Sequence, residues 1–341
     1  MKAAIVGIAG LALEPEEAAL FRAQPPAGVI LFRRNVHDPG QLRRLTAALR
    51  DVLPPHAEIM VDQEGGRVAR LRPPHWQAHP AAGVIGALTP DRAARAAWLT
   101  GALIGLQCAD AGFTIAAAPV LDIAIPGAHD VVGDRSFGAD PDHVARLGRA
   151  MADGLMAAGI LPVGKHCPGH GRASVDSHLA LPRVTDDDLS ADILPFALNA
   201  DLPWMMTAHI VYDGLDPARP ATLSPAVIET VIRGRIGFEG ALVTDDLAMK
   251  ALSGAPADKA VAALAAGCDL ALYCDGDLPS NIAVLRAVPV VTPAAERRLA
   301  RGRALLAARR REWEAGLLDA GVLSAERASL LPAVPQATSR A

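Results

Sequence analysis

The segment 58–67, EIMVDQEGGR, contains the pattern that decides the fold. Its apolar centre, Ile-Met-Val, is followed at once by a carboxylate, an amide, a second carboxylate, two glycines and an arginine. A short apolar run that ends abruptly in polar residues is typical of a buried parallel strand whose carboxyl end opens into a loop. The segment therefore predicts a strand over 58–61 and a polar loop after it.

The same pattern recurs along nearly the whole chain, with a helix-like stretch after each apolar run. Asp-Pro or Ser-Pro pairs provide an N-cap and a first-turn proline, and they open predicted helices over 41–53, 143–158 and 226–235; Pro15 opens another. The eight predicted strands cover residues 3–8, 29–32, 58–61, 114–121, 161–163, 204–207, 241–243 and 270–273, and a ninth is possible at 288–291.

Eight strands that alternate with helices predict an α/β fold, a closed (β/α)8 TIM-type barrel in a single domain over 1–331, followed by a flexible tail over 332–341. A doubly wound sheet more often shows a glycine-rich first turn, and neither GxGxxG nor GxxxxGKS/T occurs. Residues 1–13 also resemble a short signal peptide, with Lys2 before an apolar stretch. Because losing them would leave the barrel open, we favour the strand.

Composition excludes several classes of function. The 33 basic and 37 acidic residues leave a net charge of −4, which argues against a nucleic-acid-binding surface. Seven arginines lie between Arg297 and Arg311, and we interpret them as the exposed face of a C-terminal helix. The four cysteines have no paired spacing, which favours a reducing compartment and hence the cytoplasm. The longest charge-free apolar run, 96–109, is too short to span a membrane.

Polar side chains follow five of the predicted strands at the point where each strand ends. In a (β/α)8 barrel these ends lie at one face, where active sites are built. A single polar residue there would be explained as a loop residue or a helix cap, but five together predict a site. They are Asp62 with Glu64, Asp122, Lys165 with His166, His209, and Asp245 with Asp246.

The loop after the fifth strand, 164–178, is the strongest local signal because connections of this kind are usually shorter. Asp176 and His178 are two residues apart, on the same side of an extended segment. Such a carboxylate can hold one ring nitrogen and leave the other free for proton transfer. The alternative is a surface loop with an Asx-type turn.

Two chemistries could use these residues. In the first, Asp245 is a nucleophile, and His178 backed by Asp176 donates and later accepts a proton. In the second, a divalent metal that activates water is bound by His166, His170, His178, His209 and Asp245.

The metal alternative would expect an HxH after the first strand, and residues 7–10 read GIAG. A third use, Lys165 as an imine-forming lysine, needs a suppressed ammonium form. The adjacent His166 and nearby carboxylates favour a charged hydrogen-bond donor instead.

Seven segments in order along 28–250 resemble glycoside hydrolase family 3, and most closely its single-domain bacterial β-N-acetylhexosaminidases of peptidoglycan recycling. They are GVILFRRN (28–35), VDQEGGRV (61–68), APVLD (118–122), GDRSFG (133–138), KHCPGHG (165–171), DSH (176–178) and TDDLAM (244–249).

The resemblance implies retaining hydrolysis of terminal β-linked N-acetylglucosamine from muropeptides (GlcNAc-anhydroMurNAc), with no cofactor and no metal. Asp245 matches the family's nucleophile, and His178 with Asp176 matches its acid/base dyad. Four further residues match positions that hold the sugar hydroxyls: Asp62, Arg135, Lys165 and His166. We expect a monomer or weak homodimer in the cytoplasm, with no nucleic-acid or membrane partner.

The chain departs from the family pattern at Cys167, where an aromatic residue is more usual, and at Ala248, where serine is common. Asp246 competes with Asp245 as nucleophile, but its offset along the strand would point it away. We expect Glu64 to brace its loop and leave open whether Asp122 and His209 are structural. A sugar-binding barrel without catalysis remains the alternative from a different class.

Overall fold

The computed structural model describes residues 1–173, 175, 180–186, 188–313 and 318–332, except for the side chains of 309–313. Its main sheet has eight parallel strands, as the sequence predicts. They are β1 (Lys2–Gly7), β2 (Pro26–Leu31), β3 (Glu58–Val61), β4 (Ile115–Ala116), β5 (Leu161–Cys167), β6 (Trp204–Thr207), β7 (Ala241–Val243) and β8 (Ala271–Tyr273).

Each strand pairs with its neighbours in chain order, and β1 also pairs with β8. A parallel bridge between Val243 and Leu270 joins β7 to β8 and closes the ring. The predicted (β/α)8 barrel is therefore confirmed. Its strands are buried along nearly their whole length, as expected where side chains fill the inside and helices cover the outside.

The first strand forms where the N-terminal apolar run predicts it, between β2 and β8. The possible ninth strand is not a member of the barrel. Residues 288–291 instead run antiparallel beside the start of β1, through a bridge between Lys2 and Val290 and a hydrogen bond from Ala3 N to Pro289 O of 2.9 Å.

Helices follow the strands around the outside of the barrel. Proline opens most of them, and the side chains of Asp38 and Asp140 accept backbone N–H groups of the first turn at the predicted caps. The predicted helix over 226–235 is a π-helix, Val227–Arg235. The α-helices are α1 (Pro15–Ala23), α2 (Pro39–Val52), α3 (Ala82–Gly86), α4 (Pro90–Asp110), α5 (Pro141–Ala157), α6 (Ser190–Ala197), α7 (Pro256–Ala266), α8 (Leu278–Ala287), α9 (Pro293–Trp313) and α10 (Ala320–Leu330).

The last two helices pack onto the barrel rather than forming a separate layer. In α9, Arg298 binds Asp269 at 2.7 Å and Arg301 binds Glu239 at 2.7 Å. In α10, Arg327 is buried against His79. The arginine-rich stretch thus contributes ion pairs to the barrel surface. The predicted tail lies outside the described residues from 333 onward.

Within the described residues, none of the helices combines the length and apolar character that crossing a bilayer requires.

Candidate active site

A cavity of about 140 Å³ opens at the carboxyl ends of the barrel strands. Three of the five predicted strand ends contribute to it directly; Asp122 after β4 and His209 after β6 do not line it. The charged and imidazole residues that line it are Asp62, Glu64, Arg70, Arg135, Lys165, His166, His170, Asp245 and Asp246. The structure therefore brings five residues predicted to be catalytic or to bind the sugar into one cavity: Asp62, Arg135, Lys165, His166 and Asp245.

Two carboxylates and a lysine form the floor of this charged network. Lys165 Nζ lies 3.0 Å from Asp62 Oδ1 and 2.6 Å from Glu64 Oε1. Burial alone would lower the pKa of Lys165, but the charges of Asp62 and Glu64 raise it above its ordinary value. Lys165 is therefore a charged donor, whereas an imine-forming lysine must lose its proton.

Arginines complete the network on both sides. Arg135 binds Glu64 in a bidentate pair, with Nε and Nη2 at 2.9 and 2.8 Å from the two carboxylate oxygens. Arg70 Nη2 donates to Asp62 Oδ2 at 3.0 Å. Burial opposes ionisation of both acids, but these cations hold the pKa of Asp62 well below its ordinary range and lower that of Glu64 to about 2. Both carboxylates are ionised acceptors.

A short antiparallel pair after β3, Gln63–Gly65 with Val68–Ala69, places these acids. Gln63 is fully buried, and its amide oxygen accepts the backbone N–H groups of Arg70 and Leu71 at 2.7 and 3.0 Å. Gly65 has a φ of 106°, and a Cβ there would lie 2.4 Å from Pro80 O. The Gly-Gly turn therefore needs glycine to point Glu64 into the site.

His166 lies at the end of β5 and is held by Asp122. The ring Nδ1 is 2.7 Å from Asp122 Oδ2, and the ring Nε2 is 3.4 Å from Arg135 Nη2. His170 packs edge-on against it, with ring centroids 5.5 Å apart. Burial, followed by the nearby His166, lowers the pKa of His170 to about 4, so its ring is neutral at pH 7.

Asp245 and Asp246 follow β7, and their carboxylates have different partners. Asp246 Oδ1 accepts backbone N–H groups from Ala248 at 2.8 Å and Cys274 at 3.0 Å. Among the described residues, Asp245 accepts one bond, from Asp246 N at 2.8 Å. Burial opposes ionisation of Asp245, but His166 and His209 hold its pKa below the ordinary value, so it is an anion. Of the two carboxylates, that of Asp245 is therefore the one available to react with a substrate.

The alternative set of metal ligands is not assembled in the part of the chain that the structure describes. There, no three His, Cys, Asp or Glu side chains form a group that could hold an ion. His209 uses Nδ1 for Thr222 Oγ1 at 2.7 Å and Nε2 for the backbone oxygen of Asp246 at 2.9 Å. Because both of its ring nitrogens have partners, His209 braces the loop after β7.

The predicted dyad, Asp176 and His178, lies outside the described residues. In the segment that leads to it, Gly169 N donates to His166 O at 2.8 Å and Ala173 N donates to His170 O at 3.1 Å.

Among the side chains that line the cavity, Arg70 and Phe32 were not singled out from the sequence. Phe32 directly follows β2 but is apolar, and Arg70 follows the short strand Val68–Ala69, which the sequence analysis did not predict. The guanidinium groups of Arg70 and Arg34 lie 5.1 and 5.2 Å from the centre of the Phe32 ring. Arg34 itself donates to Ile8 O at 3.0 Å, which ties the first loop to the second.

Comparison with known proteins adds a family and several close relatives. The model of the glycosyl hydrolase family 3 N-terminal domain matches residues 5–297. A β-hexosaminidase of Alkalilimnicola ehrlichii is 42% identical over 87% of this chain and 87% of its own length. A β-hexosaminidase of Methylococcus capsulatus is 38% identical over 82% of this chain and 85% of its own.

Solved structures agree with these matches. NagZ of Neisseria gonorrhoeae, crystallised with N-trifluoroacetyl-D-glucosamine, superposes with a TM-score of 0.83 at 31% identity, over 96% of this chain and 98% of that one. A family 3 β-N-acetylglucosaminidase of Paenibacillus superposes with a TM-score of 0.79 at 32% identity, over 96% of this chain and 66% of that one.

Proposed function

The chain belongs to glycosyl hydrolase family 3, and from this premise we propose that it is a β-N-acetylhexosaminidase. It removes terminal, non-reducing β-linked N-acetylglucosamine and acts with retention of anomeric configuration. The curated relatives that match it over most of both chains are β-hexosaminidases, which supports this activity.

One observation carries the proposal: Asp245 shares a small cavity with a ring of fixed hydrogen-bonding groups. Lys165 and Arg135 are donors, Asp62 and Glu64 are ionised acceptors, and all four side chains are at least four-fifths buried. Paired charges of this kind can bind the hydroxyls of a sugar ring through charge-assisted hydrogen bonds.

In the proposed mechanism, the Asp245 carboxylate attacks the anomeric carbon as the glycosidic bond breaks. The leaving oxygen takes the proton of His178, which Asp176 orients, and a glycosyl ester on Asp245 results. His178 then takes a proton from water, the hydroxide attacks the same carbon from the side of the departed group, and Asp245 is released. Two inversions give net retention. The roles of Asp176 and His178 rest on the sequence motif DSH.

Muropeptide-type disaccharides, GlcNAc-anhydroMurNAc among them, are the proposed substrates. Similarity to a NagZ structure over 98% of that chain supports this class. We place the enzyme in the cytoplasm, where such fragments would be recycled. The four cysteines are buried and unpaired, which agrees with a reducing compartment. We propose a monomer or weak homodimer that needs neither metal nor cofactor.

Turnover of a chromogenic β-N-acetylglucosaminide by two neighbouring variants tests the proposal. Asp245→Asn removes the nucleophile, and we expect a rate at least about 10³-fold lower. Asp246→Asn is the matched control, because its carboxylate is engaged by backbone N–H groups, and it should keep turnover within about tenfold.

Proton NMR of the wild-type reaction should show the β-anomer of N-acetylglucosamine first. Equal activity in Asp245→Asn and wild type, or initial release of the α-anomer, would overturn the mechanism. A third outcome would identify a sugar-binding barrel instead. Calorimetry would then show that N-acetylglucosamine binds, and no member of a panel of β-glycosides that differ from one another only at C2 would be hydrolysed.

A further inference from the structure

Asp122 is the most deeply buried carboxylate at the catalytic end of the barrel. It follows β4 and is fully buried, and it does not line the cavity. Its two oxygens have different tasks. Oδ1 accepts the backbone N–H groups of His166 at 3.1 Å and His170 at 2.7 Å, and Oδ2 lies 2.7 Å from the ring Nδ1 of His166.

These contacts determine the tautomer of His166. A carboxylate oxygen can only accept, so the proton of the imidazole is on Nδ1. At the other ring nitrogen, Nε2, the neighbour 3.4 Å away is Nη2 of Arg135, which can only donate. A neutral ring with its lone pair on Nε2 satisfies both neighbours. Nε2 then presents an acceptor at the wall of the cavity.

Other titratable and charged groups around His166 come from three further elements. His170 packs against the ring from the loop after β5, Arg135 approaches from the 3-10 turn Gly133–Arg135, and Asp245, after β7, lines the same cavity. Burial opposes ionisation of Asp122, but the hydrogen bonds from the His166 ring and from the His170 backbone N–H keep the pKa of this carboxyl below its ordinary value. Asp122 is thus an anion at neutral pH, as the acceptor role requires.

We propose that Asp122 is a positioning residue for the hydrolase reaction: it fixes the His166 ring with the proton on Nδ1, so that Nε2 accepts a hydrogen bond from a substrate hydroxyl. The same carboxylate holds the turn 166–170 through its other oxygen. The functional part of this inference rests on the proposed function, because it assumes a sugar in the cavity. The tautomer itself does not.

The variant Asp122→Asn separates the two tasks. An amide oxygen can still accept both backbone N–H groups, and the NH2 group then faces Nδ1 of His166. Because that group donates, the ring proton must move to Nε2, where it meets Arg135. The reverse amide orientation would leave two buried N–H groups without an acceptor, which is the more costly arrangement. Asp122→Ala removes both tasks together.

The primary test is the tautomer, read from histidine side-chain ¹⁵N NMR of the free enzyme. In the wild type we expect Nε2 of His166 to resonate as a lone-pair nitrogen and Nδ1 as a protonated one, with the assignment exchanged in Asp122→Asn. His166→Gln identifies the signals by their loss. An Nε2 that is protonated in the wild type, or a tautomer unchanged in Asp122→Asn, overturns the proposal.

The functional test is a double-mutant cycle on kcat/KM. Asp122→Asn should lower kcat/KM by between about 10- and 100-fold in the wild type but by less than about threefold in the His166→Gln background. An equal loss in both backgrounds shows that Asp122 does not act through His166 and overturns the proposal. Failure of the proposed function is distinguishable, because the wild type would then lack turnover while the NMR result stands.

Asp269→Asn is the control for burial of an aspartate. Asp269 also accepts a backbone N–H, from Leu242 at 2.9 Å, together with Arg233 and Arg298, but it lies at the start of β8, at the opposite end of the barrel. Its variant should lose stability and keep both the His166 tautomer and kcat/KM.

Discussion

Asp62, Glu64, Arg135 and Lys165 are in the ionised form that sugar binding needs because each has an opposite charge within 3.0 Å. Glu64 shows this most clearly, since it contacts both Arg135 and Lys165 at 2.6 to 2.9 Å. Arg135 and Lys165 are both predicted to bind the sugar, and Glu64 itself is buried. Its carboxylate therefore holds these two cations side by side. From the sequence we expected Glu64 to stabilise its own loop. In the structure its carboxylate instead binds the side chains of Arg135 and Lys165.

Glu64→Gln should lower the free energy of unfolding at pH 7 by about 3–5 kcal/mol, because it leaves two buried cations without their shared anion. KM for the chromogenic glycoside should rise more than kcat falls, since Arg135 and Lys165 lose their position. Urea unfolding and steady-state kinetics measure the two effects. A variant with wild-type stability would contradict this reading of the ion pairs, with exposed Glu239→Gln as the control.

The same variant has a pH signature. The folded pKa of Glu64, about 2, is below the ordinary value of 4.5, so its ionised form stabilises the fold above pH 4.5, and that contribution is lost as pH falls toward 2. Between pH 5 and pH 3, unfolding free energy should therefore fall more steeply in the wild type than in Glu64→Gln. Parallel curves would show that Glu64 is not the group responsible.

At the scale of single residues, the sequence predicted side chains near the carboxyl ends of strands. Asp62 directly follows β3, Asp245 is the second residue after β7, and Lys165 lies near the end of β5, so the strands fix where these side chains can reach. Arg135 and Arg70 come from a turn and a hairpin whose path depends on tertiary contacts. Arg135 was identified only through the family motif, and Arg70 was not identified.

At the scale of secondary-structure elements, α4 and α5 pack closely against each other, and glycines make this possible. A Cβ at Gly101 would lie 2.1 Å from Met151 O, and one at Gly154 would lie 2.1 Å from Trp98 O. Each glycine thus faces the backbone of the other helix. Backbone atoms cannot move aside as a flexible side chain can, so close packing here requires the missing side chain.

Gly101→Ala should destabilise the protein, although alanine is the better helix former by about 1 kcal/mol. The clash with Met151 O forces the helices apart, and overpacking of this kind costs about 1–3 kcal/mol beyond the helical gain. Thermal unfolding measures the result. Gly10→Ala, where a Cβ would meet nothing within 4 Å, is the control. An unchanged or raised Tm in Gly101→Ala would contradict the predicted packing.

Docking of α10 onto α4 depends on a neutral histidine. Arg327 Nη1 lies 2.7 Å from His79 Nδ1, and His79 Nε2 lies 2.8 Å from Gln107 Oε1. Burial, and then the Arg327 charge, lowers the pKa of His79 to about 4. The stabilisation that neutral His79 provides is therefore fully present above the ordinary pKa of 6.5 and is lost as pH falls toward 4.

Amide hydrogen exchange in α10 should respond to this histidine. From pH 7 to pH 5, after correction for intrinsic rates, protection should fall by up to about 30-fold if exposing His79 is the opening event. His79→Gln should remove the pH dependence and leave exchange in α5 unchanged. Protection in α10 that is equally pH-dependent in both proteins would exclude His79 as the cause.

The strand bounds were predicted correctly where the backbone ladder is uninterrupted. They were predicted less well where a proline or a buried polar side chain changes the path of the chain. β3, β6 and β7 have the predicted bounds. β4 is shorter than predicted, Ile115–Ala116 instead of 114–121, because Pro119 has no N–H for the ladder. β5 is longer than predicted, Leu161–Cys167 instead of 161–163, so Lys165 and His166 lie within the strand rather than after it. The hairpin after β3 depends on the hydrogen bonds that the buried Gln63 side chain accepts from Arg70 N and Leu71 N, and no local sequence pattern predicts them.

For the whole molecule, the two ends of the barrel have separate roles. At the amino ends of the strands, carboxylates bind arginines of the π-helix and α9: Asp269 accepts from Arg233 at 2.9 Å and Arg298 at 2.7 Å. At the carboxyl ends, Asp245 has no such partner among the described residues and accepts only the N–H of Asp246. Of these two aspartates, Asp269 therefore serves stability, whereas Asp245 serves chemistry.

Exchanging each of these two aspartates for asparagine should give opposite results. Asp269→Asn leaves two arginines without their shared anion and should lower the free energy of unfolding by about 2–4 kcal/mol, while kcat/KM stays within about twofold. Asp245→Asn should change stability by less than about 1 kcal/mol, because one short backbone contact survives in the amide, yet abolish turnover. Urea unfolding and kinetics on both variants measure this. If either variant changed stability and turnover together, the two ends of the barrel would be coupled, and the separation argued from their contacts would be wrong.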